Sequence, residues 1–490
     1  MRDDKAISNI AQPLLIRRAQ FVGGEERDLR IDAGRIVEVG EGLAAVGNEY
    51  LIDAGGNLLL PGLHDHHLHL FATAAARDSL LCGPPAVNDE QQLRALLAGH
   101  NSRSGQWLRG VGFHDSVCDS LDRYWLDGVC PDRPLRIQHR SGMMWVLNSR
   151  ALERLRIGAS ESLPSGVEQF DNGELTGRFF NLDDWLGAHL ERSWPSLRSL
   201  SRELAGYGVT GVTDTGVNNG PEVWRALDSA CGSGELLQRV VVMGSEELDP
   251  DMPSASGRIA VGPLKIYLRE AQLPAFDALV QRISAAHDRG RAVAAHCVTR
   301  VELTFMLAAL REAGVRAGDR IEHASVADDY ALESLAELGV TVVTQPHFIA
   351  ERGARYLEEV EPEDIPLLYR GAGFLRRGVA LAAGSDAPYG TADPWAAMRA
   401  AVERRNDAGV EMQSAERLTP LQALALFAGD AHNPGSGIRD IAVGQRADLC
   451  LLNVPRNALL ADLDQRHVAL TVCDGWVVYQ QGFHASVTAE

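Results

Sequence analysis

Apolar and polar positions change rhythm twice along this chain. From residue 28 to 60, short alternating runs are split by turn residues, as in Leu29-Arg30-Ile31-Asp32-Ala33-Gly34-Arg35-Ile36-Val37-Glu38-Val39. Period-two alternation around an Ala-Gly turn predicts a β-meander. The same texture returns over 447–452 and 468–479. Two β-rich ends around a different middle predict one small β-sandwich domain, residues 1–57 and 437–490, built from both.

Between them the pattern alternates apolar, β-branched runs with amphipathic segments. A first strand is expected at about 57–63, then seven more over 209–213, 239–243, 264–268, 291–295, 319–321, 340–344 and 379–383. Helical spacing marks 276–289, 301–313, 328–338 and 367–377,. Gly290, Gly314, Gly339 and Gly378 follow these helices where a left-handed cap belongs,. Eight strands with intervening helices, over residues 58–436, point to a closed parallel barrel, with a doubly wound sheet as the alternative. About 140 residues separate the first strand from the second. The insertion, 71–205, carries its own helices, a strand-like Leu135-Arg136-Ile137-Gln138 and Trp107, Trp125 and Trp145. Directly after a strand end it is expected to lie over the barrel mouth as a lid or substrate-shaping subdomain; an oligomerisation or purely stabilising insert is the alternative.

Composition narrows the partners. The chain has 490 residues, enough for more than one domain, and 45% hydrophobic content,. Mean hydropathy is −0.12. A formal net charge of −19 argues against nucleic acid or anionic membranes as partners,. The start, Met1-Arg2-Asp3-Asp4-Lys5, is charged and leads into no apolar leader, and no apolar stretch is long enough to span a bilayer,. Seven cysteines, scattered singly, fit a reducing cytoplasm better than a disulfide framework,. A small-molecule substrate is the expected partner, and a homodimer is left open.

Chemistry-bearing residues gather at the expected strand ends. In Pro61-Gly62-Leu63-His64-Asp65-His66-His67-Leu68-His69, residues two apart share a side, so His67 and His69 converge,. His296 ends the fifth strand, His323 the sixth and Asp386 the eighth. Four imidazoles and a carboxylate at one mouth predict a site for a divalent metal, zinc being the ion such donors suit, one or two per chain. Lys265, inside the fourth strand, carries the wrong charge for a cation's neighbour. Burial beside cations favours its neutral amine, which could add carbon dioxide and bridge two metals as a carbamate; a lysine that binds a substrate carboxylate or pairs with an acid is the alternative. Asp65 is placed to orient a ligand. Cys297 reads as a buried thiol, and His64 and His66 as packing residues on the opposite face. His347, Met143, Trp145 and Tyr389 are candidates to contact substrate, with Phe348, Arg352 and Trp395 as further pocket residues.

These motifs, with Val146-Leu147-Asn148-Ser149-Arg150-Ala151-Leu152, Gly208-Val209-Thr210, Arg320-Ile321-Glu322-His323-Ala324, Thr344-Gln345-Pro346, Gly384-Ser385-Asp386-Ala387-Pro388 and Gly444-Gln445-Arg446-Ala447-Asp448-Leu449, resemble the amidohydrolase superfamily. The resemblance is to its amidohydrolase 3 group, which includes N-substituted formamide deformylase-like proteins, and covers nearly the whole chain. It implies an α/β fold: a (β/α)8 TIM barrel with a β-sandwich from both ends and a large insertion after barrel strand 1. It also implies a metal centre of His67, His69, carboxylated Lys265, His296 and His323, with Asp386 as ligand and proton shuttle. Two departures stand out. Relatives often read Lys-x-x-x-Asp-Gly where this chain has Lys265 followed by Arg269-Glu270, and carry histidine in an Asp-Gly-His segment where it has Ser141-Gly142-Met143. The expected activity is hydrolysis of a non-peptide C–N bond by metal-activated water, with Asp386 and His323 catalytic. A mononuclear deaminase of a nitrogen heterocycle and a non-catalytic scaffold are the alternatives.

Overall fold

The computed structural model of the protein describes residues 13–100, 107–158, 163–190, 194–482 and 486–487. The charged N-terminal segment read above lies outside them. The chain divides into two compact units, Phe71–Ser196 and the remainder. The insertion therefore ends earlier than the expected 71–205. The helix Arg198–Gly206 belongs to the larger unit, because Leu200, Leu204 and Ala205 on its apolar face are buried and Thr471 Oγ1 donates to the Ala205 carbonyl at 2.7 Å.

In the larger unit, eight parallel strands form one sheet in chain order, numbered here β1 (Leu63–Leu68), β2 (Val209–Asp214), β3 (Arg239–Gly244), β4 (Ile259–Tyr267), β5 (Val293–Cys297), β6 (Arg320–His323), β7 (Thr341–Thr344) and β8 (Leu381–Ala383). All sequence-predicted strands after the first appear, within a few residues of their expected bounds. The first strand is the exception. The run expected at 57–63 is split: Leu59–Pro61 pairs antiparallel with Leu449–Leu452 in a different sheet, and β1 begins only at Leu63. Gly62 is the joint, and a Cβ there would stand 2.2 Å from Thr210 Oγ1. An apolar run buried on both sides gives no periodic signal of where one strand stops and the next begins.

Two further sheets accompany the barrel, one mixed, with Leu14–Gln20 parallel to Tyr50–Asp53, and one antiparallel. One orders Ser486–Val487, Tyr50–Asp53, Leu14–Gln20, Glu26–Asp32 and Arg35–Gly40; the other orders Trp476–Gln480, Val468–Cys473, Leu449–Leu452 and Leu59–Pro61. Their shared core holds Leu14, Ile16, Leu29, Ile31, Leu449, Leu451, Leu470 and Val472. Both chain ends contribute, as the alternation predicts. The smaller unit is a six-stranded mixed sheet with a separate core on each face. Met144 and Val146 enter one core, Trp145 and Leu147 the other, the period of two expected of a strand,. Among the described residues no helix is long and apolar enough to cross a membrane.

Barrel closure falls between β8 and β1. The Asp386 amide donates to the His67 carbonyl at 2.6 Å and the His69 amide to the Ala387 carbonyl at 2.9 Å. Asp65 Oδ1 accepts the amides of His67 and Ser385, both at 3.0 Å. Gly384 permits this approach, since a Cβ on it would sit 2.3 Å from the His67 nitrogen. The Gly384→Ala variant is thus expected to lose about 1–3 kcal/mol through overpacking, read as a lower melting temperature. An unchanged melting temperature would mean that the seam has slack.

Candidate metal centre

Every candidate ligand stands at the C-terminal side of the barrel sheet, as expected for this architecture. His67 lies inside β1 and His69 one residue past it; Lys265 lies inside β4, and His296 inside β5. His323 is the last residue of β6, and Asp386 follows β8. His323 (φ 71°), Ala324 (φ 44°) and Asp386 (φ 50°) occupy left-handed backbone that non-glycine residues adopt at a cost,. That turn at each strand end aims the side chain inward.

One carboxylate oxygen organises the centre. Asp386 Oδ1 lies 3.4 Å from His67 Nε2 and 3.3 Å from His69 Nε2. One ligand atom each from His67, His69 and Asp386 falls within 4.8 Å of the others. His323 Nδ1 is 4.0 Å from Asp386 Oδ2 and pairs with Gln345 Oε1 at 2.7 Å. The His323 ring centre is 4.8 Å from that of His67 and 4.5 Å from that of His296. Neither His296 nor Lys265 is within ion-pair distance of Asp386, so of the five protein groups beyond Asp386, His67, His69 and His323 stand against it while His296 and Lys265 stand back. Lys265 is 3% exposed, and its Nζ has no hydrogen-bond partner among the described residues.

Electrostatics favour positive charge at this point. Burial and Lys265 lower the His67 pKa, yet the Glu322 and Asp386 carboxylates outweigh them and raise it. Burial opposes ionisation of Asp386, but His67, His69 and His323 hold its pKa well below the usual range. Burial pushes His296 down to about 2 and His323 to about 4, leaving both imidazoles neutral at pH 7. Burial also lowers Lys265, against the pull of Glu322. Two imidazole nitrogens and a carboxylate oxygen on one point, neutral imidazoles beside them and a buried amine without a partner make a donor set that fits a divalent ion.

Sequence reasoning missed the support behind this set. Glu322, fully buried on β6, accepts from His67 Nδ1 and pairs with Arg320. Arg320 also donates to the His66 carbonyl at 2.6 Å. Arg320 and Glu322 alternate along a strand that is buried throughout, and charges at such positions were the available signal. Asp65, read from the sequence as a residue that orients a ligand, accepts the His67 and Ser385 backbone amides and so ties β1 to the segment after β8. Cys297 is buried with its pKa pushed far up by desolvation, an inert thiol. His64 Nε2 pairs with Thr213 Oγ1 at 2.9 Å, away from the cluster.

The candidate substrate contacts fare unevenly. Tyr389 is exposed, its ring edge-on to His69 at 5.7 Å. His347 is buried, with Nε2 bonded to the Ser385 carbonyl at 2.9 Å, so it braces the loop after β8 and offers no exposed surface. Trp395 is likewise core, donating to the Tyr207 carbonyl. Trp145 belongs to a core of the smaller unit and donates to Asp183 Oδ1 at 2.8 Å, whereas Met143 on that unit is exposed.

A closed parallel barrel with histidine and aspartate donors at its C-terminal mouth defines a metal-dependent hydrolase barrel. Residues 50–479 match the model of the amidohydrolase family, and the chain belongs to that family. It is a hydrolase acting on carbon–nitrogen bonds other than peptide bonds. The N-substituted formamide deformylase of Arthrobacter pascens is 28% identical, covering 92% of this chain and 94% of that one. The putative amidohydrolase YtcJ of Bacillus subtilis is 24% identical over 88% and 90%. Among solved structures, an uncharacterised metal-dependent hydrolase from Pyrococcus horikoshii superposes with a TM-score of 0.77 at 20% identity, covering 93% of this chain and all of that one.

Removing Glu322 alone strands Arg320, and breaking a buried ion pair costs about 3–5 kcal/mol. Glu322→Leu is therefore expected to lower the melting temperature. Replacing both partners, Arg320→Met with Glu322→Leu, should restore stability while divalent-ion affinity stays about 10- to 100-fold weaker, the usual cost of losing a carboxylate behind a ligating histidine. Wild-type affinity in the double variant would show that Glu322 does not orient His67.

Proposed function

We propose that this mouth hydrolyses an amide, formamide or cyclic amide. His67, His69, Lys265, His296, His323 and Asp386 would hold one or two divalent ions, with zinc suited to the imidazole and carboxylate donors. The observation that carries the reading is the single Asp386 oxygen set against both His67 and His69 at the C-terminal end of the barrel. The 28% identity to a formamide deformylase over almost all of both chains supports the bond type.

When bound, such an ion supplies Lewis acidity and eases deprotonation of water near neutral pH. Asp386, ionised well below its usual range, is fitted to accept that water's proton on Oδ1 or Oδ2 as oxygen adds to the carbonyl carbon. It then returns the proton to the leaving nitrogen as the C–N bond breaks, giving a carboxylic acid and an amine. Glu322 on Nδ1 of His67 leaves Nε2 to face the mouth. Gln345, accepting from His323 Nδ1, likewise leaves the His323 Nε2 lone pair free; with its pKa near 4, His323 is neutral near pH 7 and would hold the ion as a ligand, not act as a proton donor.

Lys265 completes the set as a carbamate. Its lowered pKa favours the free amine, which adds carbon dioxide at Nζ with loss of one proton and becomes an anionic oxygen donor. Growth with 13C-bicarbonate should give a carbamate carbon signal that Lys265→Met abolishes, along with part of the bound metal. A wild-type protein without that signal would leave Lys265 as an ordinary buried lysine.

Asp386→Asn tests the reaction. Turnover of responsive N-acyl, N-formyl or cyclic amides should fall by about 10²–10⁴-fold in kcat, with elemental analysis still finding metal. Near-normal turnover in that variant would remove Asp386 from proton transfer. Ammonia release from a heterocycle, with one ion per chain and no carbamate, would put a deaminase in place of the amidase.

A further inference from the structure

Three side chains climb one face of β4 and its extension. Lys265 and Tyr267 are two residues apart, and the backbone stays extended at Arg269 (φ −134°, ψ 126°). Residues 265, 267 and 269 therefore point to one side, while Leu268 is buried on the other,. The rings above Lys265 form a ladder. The Arg269 guanidinium carbon lies 5.1 Å from the Tyr267 ring centre, Tyr267 lies 4.5 Å from His296, and His296 lies 4.5 Å from His323. Tyr267 is 44% exposed, and Arg269 is exposed. Among the described residues, no carboxylate lies within ion-pair distance of Arg269, although the chain as a whole carries a net charge of −19.

An arginine stacked on an aromatic face has lost part of its freedom already, and its planar fork of N–H donors stays available. That fork matches a carboxylate in two parallel hydrogen bonds. The acids nearest in the chain do not pair with it: Glu302 accepts the Glu270, Val298 and Thr299 amides, exposed Glu270 makes no ion pair with it, and more distant exposed charges are largely screened at physiological ionic strength.

We infer that Arg269 selects substrates bearing a carboxylate at the end remote from the scissile carbon–nitrogen bond, with the His296 and Tyr267 rings between the two. The inference rests on the hydrolase site proposed above and names its substrate class. It makes Arg269 a specificity residue that touches substrate, and Tyr267 the platform that holds it.

The test uses matched N-formyl or N-acyl compounds that differ only in a terminal carboxylate or its primary carboxamide. Wild-type kcat/KM should favour the carboxylate. Arg269→Gln should lower the carboxylate-to-carboxamide ratio of kcat/KM by about 10- to 100-fold, with the change carried by KM, and Arg269→Lys should recover part of it. An unchanged ratio, or a preference for the carboxamide in wild type, overturns the inference. If neither compound is turned over, calorimetric titration of both into wild type and Arg269→Gln separates the two ideas. Tighter carboxylate binding that the variant abolishes upholds Arg269 while the hydrolysis reading fails; equal binding overturns the assignment of Arg269.

Discussion

The carboxylate of Asp386, held 3.3–3.4 Å from two imidazoles, is the contact on which this molecule turns. It exists only because the barrel closes. The backbone bonds between the segment after β8 and β1, the twin amide bonds to Asp65 and the missing Cβ at Gly384 bring residues more than 300 positions apart into register. A shift of one residue at this seam would turn His67 to the other side of its strand. Left-handed backbone at His323 and Asp386 belongs to the same economy, since strain at a strand end is stable only where surrounding structure fixes it.

Around that contact the barrel buries an unusual amount of charge. Arg320, Glu322, His67 and Asp386 form a connected series, each nearly inaccessible to solvent. Taking such groups out of water costs several kcal/mol per ion, and mutual attraction offsets this only when every member is paired. The series is ordered by sign: Arg320 is matched by Glu322, Glu322 by His67, and His67 by Asp386. Lys265 Nζ stands outside this pairing.

Much of the architecture was legible from pattern alone. β-branched runs separated by helical periodicity and glycine caps located seven of eight barrel strands, and period-two alternation located the terminal sheets, because burial of one face writes itself into sequence with a fixed repeat. His67, His69, His296, His323 and Asp386 were legible for a related reason: polar residues closing apolar strands have few structural explanations. What pattern could not give was the split at Gly62, since Leu58, Leu59, Leu60 and Leu63 are all buried and carry no phase. Nor could it tell His347, buried under the Ser385 carbonyl, from Tyr389, exposed beside His69.

By itself, then, the order of residues determined the set of elements and the identities of the groups brought to one end of the sheet, for both depend on local repeats and chemical type. Only the tertiary structure decided which of those groups touch. That Glu322 braces His67, that Asp386 reaches two histidines while His296 stands back, and that Arg269 rests on Tyr267 follow from side-chain directions on different strands. Those directions are fixed by strand register and barrel closure, which no local stretch of sequence encodes.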